Sequence, residues 1–205
     1  MQNLEKIRFV AVNYPHIKGL QMAVLGLFVV AVALWSNQRQ GDLTLLTILL
    51  PLVVILAFLV ERYYKRSFGQ VRIEPQTRRQ NIGYSVVFGL LGLAAFVLDT
   101  TDWLPISLIG IVFALGLGFD YWRFNRPVQE KFLTYYPWFA AGLLVVSILP
   151  AFRLQNFWAT LGFTNAISGV MTVTGVLMVI LGILSHLFLM RAFPPQAEAD
   201  NDERI

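Results

Sequence analysis

The sequence contains no cysteine, which excludes disulfide bridges, thiolate metal sites and thiol nucleophiles. Histidine is nearly as scarce, with only His16 and His186. Charge is sparse too: 14% of the 205 residues are charged against 57% hydrophobic, too apolar a mixture for one soluble domain of this length. Neither a phosphate-binding P-loop nor a G-x-S-x-G nucleophile elbow occurs. No ionisable residue falls near the middle of an apolar block, where proton relays and intramembrane metal sites need one. The sequence therefore predicts no cofactor, no metal and no enzymatic chemistry. The net charge of +4 resides between the apolar blocks, the pattern of topology determinants rather than of a phosphate groove, so no nucleic-acid partner is expected.

What is present is a series of apolar blocks near the roughly 20 residues that a helix needs to cross a bilayer. Six such blocks fall at about 17–36, 43–62, 82–98, 103–121, 135–151 and 166–190. They predict an all-α, polytopic membrane helix bundle forming a single transmembrane domain over 1–193, with an acidic, flexible cytoplasmic tail at 194–205. Pro51 predicts a kink in the second helix, Asp99 to Asp102 a tight hairpin, and Pro137 a helix start. Residues 152–165 mix polar and aromatic side chains, as a loop in the headgroup region would. In residues 1–16, Leu4, Ile7, Ala11 and Tyr14 recur at helical spacing and predict a helix lying along the surface. Ala31-Val32-Ala33 has the form of a signal-peptidase site, but the polar lead and the spanning length favour a retained anchor.

Six crossings place both termini on one side. Assigning the termini and the two polar loops at 61–79 and 120–134 to the cytoplasm leaves only Arg39 and Arg153, of sixteen Lys and Arg, outside. The sequence thus predicts an N-in, C-in protein of the cell membrane. Tyr63, Tyr64, Tyr121, Trp122, Tyr135, Tyr136 and Trp138 would line the inner boundary, and Trp35, Trp103 and Trp158 the outer. A faint repeat suggests three helical hairpins, although interfacial preferences alone produce the same pattern.

The longest polar passage between apolar blocks, Glu61 to Arg79, carries six basic residues against Glu61 and Glu74. Read as a cytoplasmic loop, it offers Tyr63, Tyr64, Lys65, Arg66, Phe68, Arg72, Arg78 and Arg79 to anionic lipid headgroups, or to a membrane or cytosolic protein partner. Its portion Tyr63 to Val71, YYKRSFGQV, resembles a segment of uncharacterised bacterial polytopic integral membrane proteins. The resemblance implies a bacterial membrane origin and neither an activity nor a site. Small-residue stripes predict close helix contacts: Gly110, Ala114 and Gly118 on the fourth block, Gly83, Gly89, Gly92 and Ala95 on the third, and Ser168, Gly175 and Gly182 on the last. His16 and His186 lie in the same leaflet. Shared ligation is one reading of them; one interfacial and one packed histidine is the commoner. Ser168, Thr172 and Thr174 share a helix with His186 but lie two or more turns from it.

Three functional classes fit this pattern. The first is a non-enzymatic accessory or scaffold component of a membrane assembly, contacting its partner through 61–79. The others are a small transporter or channel for a neutral or apolar solute, and a membrane sensor without its own output domain.

Overall fold

The computed structural model describes residues 9, 13, 14, 17–38, 44–68, 75–100, 104–126, 132–152, 155–164 and 166–192. Among the described residues the chain is helical and forms no strand. The helices are α1 (Gly19–Gln38), α2 (Thr44–Phe68), α3 (Pro75–Thr100), α4 (Leu108–Asn125), α5 (Tyr136–Ile148), the short α6 (Gln155–Thr160) and α7 (Ala166–Ala192), with a 3-10 turn at Leu149–Phe152 after α5. By length and composition four of them can cross a membrane: α1, Thr47–Phe68 of α2, Arg79–Asp99 of α3, and α7. The blocks at 103–121 and 135–151 give shorter apolar stretches. The last two turns of α4 carry Asp120, Arg123 and Asn125, and α5 has 13 residues before Pro150 falls in the 3-10 turn.

The chain's first and last long helices form its tightest contact. α1 and α7 run antiparallel, with Gly19 against Gly182 and Gly26 against Gly175. A Cβ on Gly182 would lie 2.5 Å from the Gly19 carbonyl oxygen and 2.6 Å from the Ala23 nitrogen. One on Gly26 would lie 2.6 Å from the Gly175 carbonyl oxygen. Only hydrogen fits. Hydrocarbon does not drive helices together, so such backbone-to-backbone contact supplies van der Waals attraction that lipid tails cannot match. Around this pair α5 packs on α4 and α7, while α2 leans on α1 and α3 on α4.

Several boundaries differ from the sequence reading. α2 continues to Phe68 and runs through Pro51 unbroken, so Glu61–Phe68 is helix rather than loop. Charge moves a helix out of hydrocarbon without ending it, and Val60, Tyr64 and Phe68, four residues apart, continue a packed stripe. α3 likewise begins at Pro75, where proline's fixed φ and missing N–H suit a first turn. α4 starts at Leu108, five residues later than its apolar block. Ser107, extended at φ −88°, ψ 111°, caps it, and Asp99 reaches over from α3: its carboxylate accepts from Ser107 Oγ (2.8 Å), Leu108 N (2.7 Å) and Ile109 N (3.0 Å). Asp99 is thus buried at a helix N-terminus, where free N–H groups and the dipole favour an anion.

Of residues 1–16, Phe9, Asn13 and Tyr14 are described, and all three are buried, as is Ile17. Phe9 stacks on Phe132, with ring centroids 4.6 Å apart. Phe9, Asn13 and Ile17 stand four residues apart on one face and are packed in, and Tyr14 of the predicted stripe is buried beside them; Leu4, Ile7 and Ala11 lie outside the described residues. At the other end, Trp158 of α6 is buried with its ring over Gly169, and Gly162 turns the chain at φ +84°, a conformation favouring glycine. Asn37 at the end of α1 binds that turn, donating to Gly162 O and accepting from Thr164 N at 2.7 Å. Within 152–165, Trp158 therefore packs on α7, and the turn at Gly162 and Thr164 is tied to α1. The tail at 194–205 and His16 lie outside the described residues.

Candidate functional site

Polar groups gather at the end of the bundle where α1 begins and α2 and α7 finish. Lys18 Nζ donates to both carboxylate oxygens of Glu61, at 3.0 and 2.8 Å. Gln21 Nε2 donates to Oε2 at 2.9 Å, and Lys65 lies 3.6 Å from Oε1. Glu61 is therefore the hub tying α2 to α1, its acceptor sites met by donors from both helices.

One turn on, Tyr64 is fully buried. Its hydroxyl accepts from Leu20 N at 3.1 Å and lies 3.0 Å from His186 Nδ1. Leu20 is in the first turn of α1, so its N–H is one of the orphan donors of that helix, and a side chain 44 residues away satisfies it. A phenol has one proton to give. Its oxygen also has two lone pairs; with Leu20 on one of them, the bond to Nδ1 runs from the phenol to one imidazole tautomer or from the other tautomer to the phenol. The backbone of Tyr64 also takes part, because its carbonyl accepts from Tyr14 OH at 3.2 Å. Burial, with the Glu61 charge beside it, pushes the Tyr14 hydroxyl up to about 12, so it remains a donor throughout the physiological range. Beneath them Tyr135 and Tyr136 of the α5 start bracket Ser185 Oγ at 3.4 and 3.3 Å. The first helix, the second, the fifth and the last are joined at one level by a chain of hydrogen bonds.

The residues expected in a contact loop divide accordingly. Tyr64 faces the core and cannot meet lipid or a partner. Phe68 is half-buried against Tyr63 and Tyr64. Tyr63, Lys65 and Arg66 are exposed on the last turns of α2, and Arg79 on the first turns of α3. Arg72 and the side chain of Arg78 lie outside the description. In the predicted packing stripe, Gly110 meets Ser147 of α5 so closely that a Cβ would strike its hydroxyl, and Ala114 is buried. Gly118 has open space around it, as do Gly83, Gly89 and Gly92; the helix surface there has turned away from its neighbour. Gly19 and Gly26 were missed, although their seven-residue spacing repeats that of Gly175 and Gly182.

Every Lys and Arg whose side chain is described sits at this same end: Lys18, Arg62, Lys65, Arg66, Arg79, Arg123, Arg126 and Arg191. Arg123 bonds Asn81 of α3 and lies over the Tyr84 ring, 4.8 Å from its centroid. Arg126 covers Trp122 at 5.3 Å. Among the described residues no three His, Cys, Asp or Glu side chains cluster as metal ligands would. Comparison with known protein families, characterised proteins and solved structures finds no match to this chain.

Proposed function

We propose that this is a six-crossing protein of the bacterial cytoplasmic membrane, both termini cytoplasmic, serving as a non-enzymatic component of a membrane assembly. One observation carries the reading: the described basic side chains all occupy one end of the bundle, the distribution that fixes a cytoplasmic face. The antiparallel α1 and α7 support termini on a common side. Besides the four long helices, α4 spans about 27 Å, and α5 with its 3-10 turn about 28 Å, close to the ~30 Å core.

Tyr64, His186, Glu61 and Lys18 are engaged in joining helix ends, which favours a structural use of the ionisable groups. The outward surface at this end consists of Arg62, Tyr63, Lys65, Arg66 and Arg79, with Arg126 and Arg191 beside them. Each basic group contributes about 1 kcal/mol near an anionic leaflet, and Tyr63 adds an aromatic anchor of the kind that dominates protein contacts. Native mass spectrometry of the protein from its own membranes in mild detergent tests the proposal. A co-purifying subunit lost on Tyr63→Ala, with folding and insertion retained, is the expected result. A partner-free protein that conducts a solute in reconstituted vesicles would overturn it in favour of a transporter.

A further inference from the structure

α2 and α7 finish side by side at the basic end. The Tyr64 hydroxyl and His186 Nδ1, 3.0 Å apart, belong to residues four before the end of α2 and six before the end of α7, so the two helices stop within about 3 Å of the same height. Around them Arg62 and Arg66 on the last turns of α2, Arg79 near the start of α3 and Arg191 in the last turn of α7 are exposed. Among the described residues none of these four forms an ion pair. Glu61, the carboxylate at this level, is already held by Lys18, Lys65 and Gln21. The bundle itself thus offers these guanidinium groups no counter-charge.

The sequence beyond Ala192 carries it. Glu198, Asp200, Asp202 and Glu203 fall within six residues, the densest run of acid in the chain, and Arg204 is the only base after Arg191. We propose that this acidic segment lies across the basic end of its own molecule, against Arg62, Arg66, Arg79 and Arg191, as a cover that an anionic partner must displace. Reach permits it: six to eleven residues separate Ala192 from these carboxylates, a span of at most about 20–40 Å, whereas neighbouring helix axes lie about 8–10 Å apart. Location favours it over the headgroups of the leaflet. α7 is the most enclosed of the four long apolar helices, so the chain leaves it among the other helix ends rather than at the lipid rim. Tethering favours it over a separate acidic chain, because a short linker holds its segment at an effective concentration in the millimolar range.

The test uses the full chain, whose lack of native cysteine lets a pair of labels be placed alone. Gln80 is exposed beside Arg79. Spin labels on Gln80→Cys and Ala199→Cys, in nanodiscs of phosphatidylcholine, give their separation by pulsed dipolar spectroscopy. One narrow distance is expected at low salt. It should broaden in about 1 M salt, where the screening length falls to about 3 Å, and in a variant combining Glu198→Gln, Asp200→Asn, Asp202→Asn and Glu203→Gln. Those four changes lie outside the described helices. The same variant, its basic end uncovered, should bind a hexa-aspartate probe peptide at least about tenfold more tightly than the unaltered chain. Equally broad distances in the two chains at low salt, or equal probe binding, overturn the proposal. So does a distance that vanishes on dilution with unlabelled protein, which would assign the segment to a second copy. Neither readout involves a partner subunit, so this inference and the assembly reading fail separately.

Discussion

Replacing Gly182 by Ala should destabilise the protein, while the same change at Gly118 should stabilise it. In a helix interior Ala is favoured over Gly by about 1 kcal/mol, and Gly118 has no atom within 4 Å of a new Cβ, so there the gain stands alone. At Gly182 the methyl would sit 2.5 Å from the Gly19 carbonyl oxygen and 2.6 Å from the Ala23 nitrogen. Both are backbone atoms and cannot rotate aside, so reaching an ordinary contact forces α1 and α7 apart by about 1 Å. Overpacking of this kind costs roughly 1–3 kcal/mol. A gap of ~1 Å also forfeits up to about half of each neighbouring dispersion contact, including those at Gly26 and Gly175. The net loss is about 2 kcal/mol, and the two Gly→Ala variants should differ by about 3 kcal/mol. Equilibrium unfolding in mild detergent by sodium dodecyl sulfate titration, followed by helicity, measures the difference. A Gly182→Ala protein as stable as Gly118→Ala would refute the seam.

Tyr64→Phe should cost about 1–3 kcal/mol by leaving the Leu20 N–H without its acceptor, and the nitrogen chemical shifts of His186 should change as Nδ1 loses its partner; unchanged shifts would mean that the bond is absent. Asp99→Ala should cost about 1–2 kcal/mol by uncapping α4, seen as faster hydrogen exchange at Leu108 and Ile109. Single cysteines at Asp42, Thr101 and Asn156 should react with an impermeant maleimide from outside, and those at Ser67 and Asn125 should not; protection of Thr101 with labelling of Ser67 would reverse the topology.

Composition made the apolar helical character and the basic face legible, because length and charge position decide both. Helix ends were less legible. The run Glu61-Arg62-Tyr63-Tyr64-Lys65-Arg66 reads as loop only if charge is equated with loop; the spacing Val60, Tyr64, Phe68 already carried the helix onward. The hydrogen bond between Tyr64 and His186 joins residues 122 apart, and no local pattern encodes that meeting. For the glycines, spacing marked the stripes without saying which of them touch. Gly175 and Gly182 face backbone, whereas Gly83, Gly89 and Gly92 face space, and the difference lies in the opposing helix.

That difference bears on how an apolar cleft persists, lined by residues of α1, α3 and α4 with Leu50 of α2 and Met171 of α7. α3 is attached to α4 near both ends, through Arg123 and Asn81 at one and through Asp99 at the other. Between these anchors, on the side toward α2, stand Gly89 and Gly92 rather than side chains able to fill the gap. α2 in turn is bonded to α1 near the basic end, through Glu61 and Tyr64. In lipid, apolar surface gains little by choosing protein over hydrocarbon, so these polar ties place the flanking helices and no hydrophobic collapse closes the space between them. Glycines that on α1 and α7 bring two backbones together serve on α3 to keep two helices apart, and the same residue type yields a seam or a cleft according to where the anchors lie.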